Sequence, residues 1–262
     1  MDRLTRSLYT VASIATLLAL WYAGGVTLPE VVPGLPETYT ALVVVLTTPG
    51  PYDHMFYFHV WKTFQMLFAS LIVSMIAGTL LGVALGRSET LESTLATWVY
   101  AWLAIPSLVI VFVSAIWIGF DASSGYFAIP LVITPFVGLN MWEGARNLDD
   151  DLAEMAEFFG AGRVQTFTDI IIPQLAPFLF ASFRSALSIG WKITLLVEAF
   201  LLTRGVGFMF RRYFDQYDLP TMMSWLIIFV VFLIVVEYGV LAPLHERVME
   251  WRPDAEGVRV TE

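Results

Sequence analysis

Glu154-Met-Ala-Glu-Phe-Phe-Gly160, followed nine residues later by Ile170-Ile-Ile-Pro173, is the stretch on which the interpretation of the chain depends. It lies within a polar segment, residues 143–169, in a chain that otherwise consists largely of long apolar runs. Four such runs precede the segment and two follow it. Its task depends on the kind of protein that surrounds it and on the side of the membrane where it lies.

The composition indicates an integral membrane protein. Of the 262 residues, 58% are hydrophobic and 14% are charged, and the mean hydropathy is +0.73. Soluble domains carry roughly 25% charged residues. Cysteine is absent, which excludes disulfides, thiolate metal sites and cysteine nucleophiles. His54, His59 and His245 are expected to be interfacial polar residues, and no metal site is predicted.

Six apolar segments are long enough to cross a hydrocarbon core of ~30 Å, which requires about 20 helical residues. They predict an all-α membrane protein with a single transmembrane domain over residues 1–262 and a short helix between the fourth and fifth spans. The predicted spans are residues 8–26, 56–86, 95–120, 126–142, 173–202 and 222–241, and the short helix falls within 149–169. The first span is expected to be retained, because it is longer than a signal-peptide core.

Proline and glycine positions give the expected details between and within these spans. Pro106, Pro130 and Pro135 are expected to kink the third and fourth spans without breaking them, because neighbouring helices can satisfy the freed carbonyls. Residues 37–46 are predicted to form a short surface helix, and residues 203–220 to form a loop. Residues 121–125 are predicted to be a short loop.

The second span carries small residues at a strict spacing of four. Such stripes let helix backbones approach closely in lipid, so tight packing is expected against another helix of the same chain or of a second subunit. The stripe consists of Ser70, Ser74, Gly78, Gly82 and Gly86.

The distribution of basic residues predicts the orientation. Six spans put both termini on one side, and eight arginines outside the spans share that side against four basic residues on the other. Those eight are Arg3, Arg6, Arg87, Arg146, Arg163, Arg247, Arg252 and Arg259; the other four are Lys62, Arg204, Arg211 and Arg212. Both termini and the polar segment are therefore predicted to be cytoplasmic. The net charge of −9 with few lysines favours a salt-loving prokaryote.

The polar segment has the pattern of an amphipathic helix. Leu152, Met155 and Phe159 recur at a spacing of three to four, and the preceding aspartates suit a helix N-terminus. Gly160 permits the left-handed turn that ends many helices. Residues 163–169 are expected to form a second short helix before Pro173 starts the next span. Such a helix either lies on lipid or docks into a groove of a partner. The acidic start favours docking, because anionic lipid attracts basic helices.

The same residues carry a resemblance to a known family. Glu154-x-Ala156-x-x-x-Gly160 and, after nine residues, Ile170-x-Ile172-Pro173 resemble the EAA motif of binding-protein-dependent ABC importer permeases. Met155 stands where the consensus has alanine and Ile172 where it has leucine; both remain apolar, and the change at Ile172 conserves volume. Several further segments are similar to the nitrate, sulfonate and taurine branch of that family: 82–88, 104–108 through 116–120, 183–188 through 197–199, and 203–207.

The resemblance implies partners and residue roles. Two permease copies, expected as a homodimer, would form the pore in the cell membrane of a prokaryote. Cytoplasmic ATPase subunits would bind the ATP and magnesium, and an extracytoplasmic binding protein would deliver the solute. This chain itself has no Walker phosphate loop, so it is expected to depend on the partner for ATP hydrolysis. No bound cofactor, catalytic residue or nucleic-acid partner is expected for this chain. The expected ATPase-coupling residues are Glu154, Met155, Ala156, Phe159, Gly160, Ile170 and Pro173.

Charged residues within the fifth span point to a solute pathway. A charge at the bilayer centre costs ~2.5–3.5 kcal/mol, so it should face water, a pore or a partner. Arg184, Ser188, Lys192 and Glu198 fall on one side of an ideal helix and are predicted to line the pathway. The arginine and lysine either attract an anion such as nitrate, a sulfonate or taurine, or they neutralise Glu198, Asn140 or the second copy, or snorkel to the interface. Lys192 is the more specific candidate for an anion contact, because the branch that the chain resembles usually has an arginine and a glutamate at about the places of Arg184 and Glu198, whatever the substrate, but no such lysine.

Two other classes of protein remain as alternatives to a permease subunit. A self-sufficient channel or secondary transporter is expected to show inverted repeats or broken helices, and neither pattern is clear. It would also leave the polar segment without a task. An intramembrane enzyme requires a nucleophile with a base, or a metal site, and the sequence shows neither.

Overall fold

A computed structural model describes residues 3–49, 55–241 and Pro243 of the chain. His54, His245, Arg247, Arg252 and Arg259, which entered the sequence interpretation, lie outside these residues. The described part is helical throughout its regular structure, as predicted. In chain order its helices are α1 Arg3–Thr27, α2 Leu35–Thr47, α3 Met55–Arg87, α4 Glu89–Ala104, α5 Ser107–Ile118, α6 Ala122–Arg146, α7 Asp150–Phe158, α8 Arg163–Thr166, α9 Ile172–Leu201, α10 Val206–Asp215 and α11 Leu219–Val236. Two π-helical turns, Phe167–Ile171 and Glu237–Leu241, precede α9 and follow α11.

Four helical segments are long and apolar enough to cross a membrane. They are Met55–Arg87, Ala122–Arg146, Arg163–Leu201 and Leu219–Gly239. A fifth results if α4 and α5 together count as one broken span. The apolar part of α1, Val11–Thr27, is shorter than these segments. The described residues thus support four or five spans, and the first predicted span, residues 8–26, stays a prediction.

The third predicted span is broken rather than kinked, which corrects the expectation for Pro106. Helices α4 and α5 meet at an angle of 93° around Ile105 and Pro106. Ile105 has an extended conformation, with φ −71° and ψ 124°, which is the conformation that a following proline favours. Pro130 and Pro135, by contrast, lie inside the uninterrupted helix α6, as predicted.

Other predicted boundaries differ from the structure for local reasons. The loop predicted over residues 121–125 is shorter, because the Asp121 side chain accepts a hydrogen bond from the Ser123 amide at 2.7 Å and caps α6. The loop predicted over residues 203–220 contains the ten-residue helix α10. Pro173 does not start a separate helix, because α8, the π turn and α9 follow one another without a break. The missing amide of Pro173 coincides with the end of the π turn.

The chain divides into two compact units. The first comprises the described residues of Met1–Thr63 and Glu198–Phe232, and the second comprises those of Phe64–Val197 and Leu233–Glu262. In the first unit, the Ser224 hydroxyl of α11 donates to the Thr38 carbonyl of α2 at 3.1 Å. The His59 ring contacts Trp225 edge to face, with ring centroids 5.7 Å apart. These contacts hold α2, the start of α3 and α11 together.

In the second unit, the small-residue stripe of α3 faces α6 of the same chain. A Cβ atom added at Gly78 would lie 2.5 Å from the Val137 Cβ atom, and one at Gly86 would lie 2.6 Å from the Ala145 Cβ atom. One at Gly82 would clash with the Gly138 carbonyl oxygen. The two backbones are therefore too close for any larger residue. Ser70 and Ser74 of the same stripe are buried.

Candidate functional site

Helix α7 is fixed at its N-terminus by contacts within the second unit. The Asp149 carboxylate accepts from the Asp151 and Leu152 amides at 3.1 and 3.4 Å and caps the helix. The Asp149 amide donates to the Gln174 side-chain oxygen of α9 at 2.8 Å. Asp150 forms an ion pair with Arg87, at the end of α3, at 2.9 Å. The first turn of α7 is thus tied to the ends of two long helices.

The C-terminus of α7 ends in a glycine turn. Gly160 has a φ of +86°, in the region that favours glycine. Its amide donates to the Glu157 carbonyl at 2.9 Å, and the Ala161 amide donates to the Ala156 carbonyl at 2.9 Å. These two bonds are those of a Schellman motif, with Gly160 as the left-handed residue. The left-handed turn predicted at Gly160 is confirmed.

The surface of α7 is exposed along its whole length, and no residue of the helix is buried. Met155 is 51% exposed, Phe158 is 86% exposed and Phe159 is 79% exposed. The two phenylalanine rings contact each other edge to face, with centroids 5.7 Å apart. The sequence pattern identified Met155 and Phe159 but not Phe158, although Phe158 also follows Met155 by three residues. Phe158 and Phe159, together with Met155, therefore form an aromatic patch that protrudes at the end of the capped helix α7.

The remaining predicted coupling residues lie around this patch or lead into α9. Glu154 is exposed, and Ala156 is half-buried. Ile170 lies in the π turn Phe167–Ile171, and Pro173 is the second residue of α9; both are half-buried. The segment from the patch to the membrane-crossing helix is helical from Arg163 onward.

The predicted pathway residues of α9 do not share one environment. Arg184 forms an ion pair with Glu237 of the second π turn at 2.6 Å. Ser188 and Lys192 are exposed, and Lys192 has no ion pair within the described part of the chain. Glu198 is only 1% exposed, so it does not continue the exposed stripe as the helical wheel predicted.

Glu198 instead belongs to a buried hydrogen-bond cluster that the sequence did not predict. Its partners are Thr63 of α3 and the backbone at the start of α10. Thr63 and Glu198 are more than 130 residues apart in the sequence. No local sequence pattern could therefore have identified their contact.

Comparison with known proteins identifies the family. The model of the family described as binding-protein-dependent transport system inner membrane component matches residues 74–249, well over half of the chain. The chain belongs to this family. The matched region includes α7, the Gly160 turn and all of α9, so the resemblance drawn from the EAA-like motif is confirmed at the level of the family.

Relatives within this permease family are named for sulfonate and taurine transport. The taurine transport system permease protein TauC of Escherichia coli strain K12 is 24% identical over 94% of this chain and 90% of its own length. SsuC of the same strain, named for aliphatic sulfonates, is 30% identical over 44% of each chain. The alignment with SsuC thus spans less than half of that protein.

Solved structures share the fold of this permease. A methionine ABC transporter, MetNI, captured in inward-facing conformations, superposes with a TM-score of 0.63 over 72% of this chain and 94% of the other, at 17% identity. An amino acid ABC transporter crystallised with histidines gives a TM-score of 0.57 at 15% identity. The protein is the multi-pass permease subunit of an ABC importer, and a non-catalytic role is consistent with its family.

Proposed function

We propose that the aromatic patch at the end of α7, made of Met155, Phe158 and Phe159, is the surface through which this permease binds a cytoplasmic ATPase subunit. The observation that carries the proposal is the exposure of both phenylalanines on a helix that is capped at each end. Exposed large apolar groups on a rigid helix are what a partner groove buries. With this assignment α7 lies in the cytoplasm, and if all six predicted spans cross the membrane both termini lie there too, as the arginine distribution predicts.

The path from the patch to the membrane supports a mechanical role. Asp149 and Asp150 tie the start of α7 to α9 and α3, and the Gly160 turn, α8 and the π turn lead directly into α9. A displacement of the patch by the ATPase would therefore reach the membrane helices through short, hydrogen-bonded connections. Such a connection is required to switch the pore between inward- and outward-facing states, because ATP binding and hydrolysis occur on the partner.

For the transported solute we infer a small sulfonate anion. TauC and SsuC are named for taurine and aliphatic sulfonates, both of which carry a sulfonate group. In this chain Lys192 places an exposed cation within an apolar span, where a charge is costly unless water, an anion or a second subunit covers it. Lys192 and Ser188 are proposed to line the pathway. A second copy of the permease would cover this face, and an extracytoplasmic binding protein would supply the solute.

The ATPase assignment is tested by replacing the aromatic patch. We expect Phe158→Glu combined with Phe159→Glu to abolish copurification of the ATPase with the solubilised permease, because two charges would enter an apolar groove. Glu157→Gln, on the same exposed helix but outside the patch, serves as the matched control and should retain the ATPase. Equal ATPase recovery with the double variant and the control would contradict the proposal.

A further inference from the structure

The most deeply buried charged side chain of the described residues is Glu198, near the end of α9. Its exposed fraction is 1%, and two side chains of α3 that lie in the same unit, Thr63 and His59, are also buried. No ion pair to Glu198 exists within the described part of the chain. A buried carboxylate without a cation must be stabilised by hydrogen bonds, so its partners indicate its role.

Three hydrogen bonds join these three side chains to one turn, and a fourth joins Thr63 to Glu198. The Thr63 hydroxyl donates to the Glu198 Oε2 atom at 2.9 Å, and the Gly207 amide donates to the same oxygen at 2.9 Å. The Val206 amide donates to the Thr63 Oγ1 atom at 2.9 Å. The Gly205 amide donates to the His59 Nδ1 atom at 3.0 Å. Three consecutive backbone amides are thus bound by side chains of two other helices.

These amides belong to the N-terminus of α10, whose first four N–H groups have no partner within the helix. The residue before α10, Gly205, offers no side-chain cap. The Glu198 carboxylate, which belongs to α9, caps α10 instead. It lies at the N-terminus of α10, where the dipole of α10 favours negative charge. Gly205 has a φ of +105°, and a Cβ atom there would clash with the Glu198 carboxylate. The turn is therefore seated directly on the carboxylate.

The helix held in this way forms one wall of a basic cavity. Phe200 at the end of α9 and Phe208, Arg211 and Arg212 of α10 line a cavity of about 430 Å³. The Arg211 guanidinium lies over the Phe200 ring at 5.5 Å and pairs with Asp215 at 2.8 Å. The position of α10 relative to the end of α9 thus decides whether this cavity exists.

We propose that Glu198, Thr63 and His59 form a latch that makes α10 move as one body with the C-terminal end of α9. Glu198 and Thr63 are positioning residues, because they act on α10 and not on the solute. Since α9 begins at the segment proposed to couple to the ATPase, the latch would pass its displacement on to α10 and to the cavity wall. This last step rests on the proposed function, whereas the existence of the latch does not.

The latch itself is tested by thiol labelling, for which this cysteine-free chain is suited. Val206→Cys introduces a buried thiol and leaves the backbone amide of residue 206 intact. In the solubilised full-length protein we expect this thiol to be protected from a maleimide. Adding Thr63→Val should accelerate its labelling about tenfold, because a buried hydrogen-bonded pair is lost. Thr63→Ser, which keeps the hydroxyl, should restore protection.

Thr194→Val is the matched control, since the buried Thr194 hydroxyl donates only to a carbonyl of its own helix, that of Gly190 at 2.8 Å. It should leave the labelling of Val206→Cys unchanged. Equal labelling rates with Thr63→Val, Thr63→Ser and Thr194→Val would overturn the latch. Glu198→Ala should accelerate labelling as Thr63→Val does, and protection of the thiol in that variant would also overturn it.

The coupling step has a separate readout in vesicles that contain the permease, its ATPase and its binding protein. We expect Thr63→Val to lower the solute transported per ATP hydrolysed about tenfold while the ATPase stays bound, and Thr63→Ser to restore it. If Thr63→Val accelerates labelling but leaves the amount of solute transported per ATP unchanged, the coupled motion of α9 and α10 is refuted. Failure of the ATPase to bind the unmodified chain would instead refute the proposed function and leave the latch intact.

Discussion

Gly160 combines two properties that are separable by mutation. Its φ of +86° disfavours every residue with a Cβ atom, yet a Cβ atom built there meets nothing within 4 Å. The requirement for glycine at this position is therefore conformational and not steric. This residue ends α7 directly beside the exposed pair Phe158 and Phe159, so the direction of the patch depends on the turn.

Graded replacement of Gly160 tests this interpretation at the scale of one residue. A left-handed conformation costs an ordinary residue ~1–2 kcal/mol, and asparagine tolerates it better than most. We expect ATPase copurification to fall in the order Gly160, Gly160→Asn, Gly160→Ala and Gly160→Val. Gly162→Ala, at a glycine with ordinary φ and open space, should have no effect. An alanine variant that binds the ATPase as well as the native chain would show that the turn is not required.

At the scale of single elements, the contact of α3 with α6 is steric. At Gly82 an added Cβ atom would meet the Gly138 carbonyl oxygen and would lie 2.6 Å from the Met141 Cβ atom. We expect Gly82→Ala to destabilise the protein by ~1–3 kcal/mol, the usual cost of overpacking. The midpoint of thermal denaturation in detergent measures this change. Gly239→Ala, at a helical glycine with nothing within 4 Å of the added atom, should leave the midpoint unchanged.

The elements also show what the sequence could and could not predict. The stripe from Ser70 to Gly86 and the turn at Gly160 follow from local rules of spacing and backbone conformation, so both could be predicted from the sequence. The break at Pro106 could not be predicted, because a proline in a membrane helix kinks or breaks the helix depending on whether neighbours satisfy the freed carbonyl groups. Pro130 and Pro135 leave α6 intact, whereas α4 and α5 part at 93°.

Helix α10 and the Glu198 cluster illustrate two different reasons for a missed feature. Val206, Met209 and Tyr213 have a helical spacing that was detectable, but the charged and aromatic residues around them led to the prediction of a loop. The burial of Glu198 had no such signal. A helical wheel places a residue on a side of its own helix, and only the tertiary structure decides whether that side faces solvent or Thr63.

For the whole molecule, the exposed charge of Lys192 restricts what can surround α9. An ammonium group within an apolar span is costly in lipid, so water, an anion or a second copy has to cover it. Arg184 differs, because Glu237 already pairs with it at 2.6 Å. Of these two basic residues of α9, Lys192 is therefore the one whose charge remains available to the proposed sulfonate anion.

Transport by the assembled importer tests this role. We expect Lys192→Met to lower uptake of a sulfonate such as taurine about tenfold in vesicles that contain the ATPase and the binding protein, because a charge-assisted contact of ~1.5–3 kcal/mol is lost. Lys192→Arg keeps the charge and should retain most of the uptake. Ser185→Ala, at another exposed residue of α9, is the control for nonspecific damage to this face. Full uptake with Lys192→Met would place the selectivity for anions outside this chain, with the binding protein as its source.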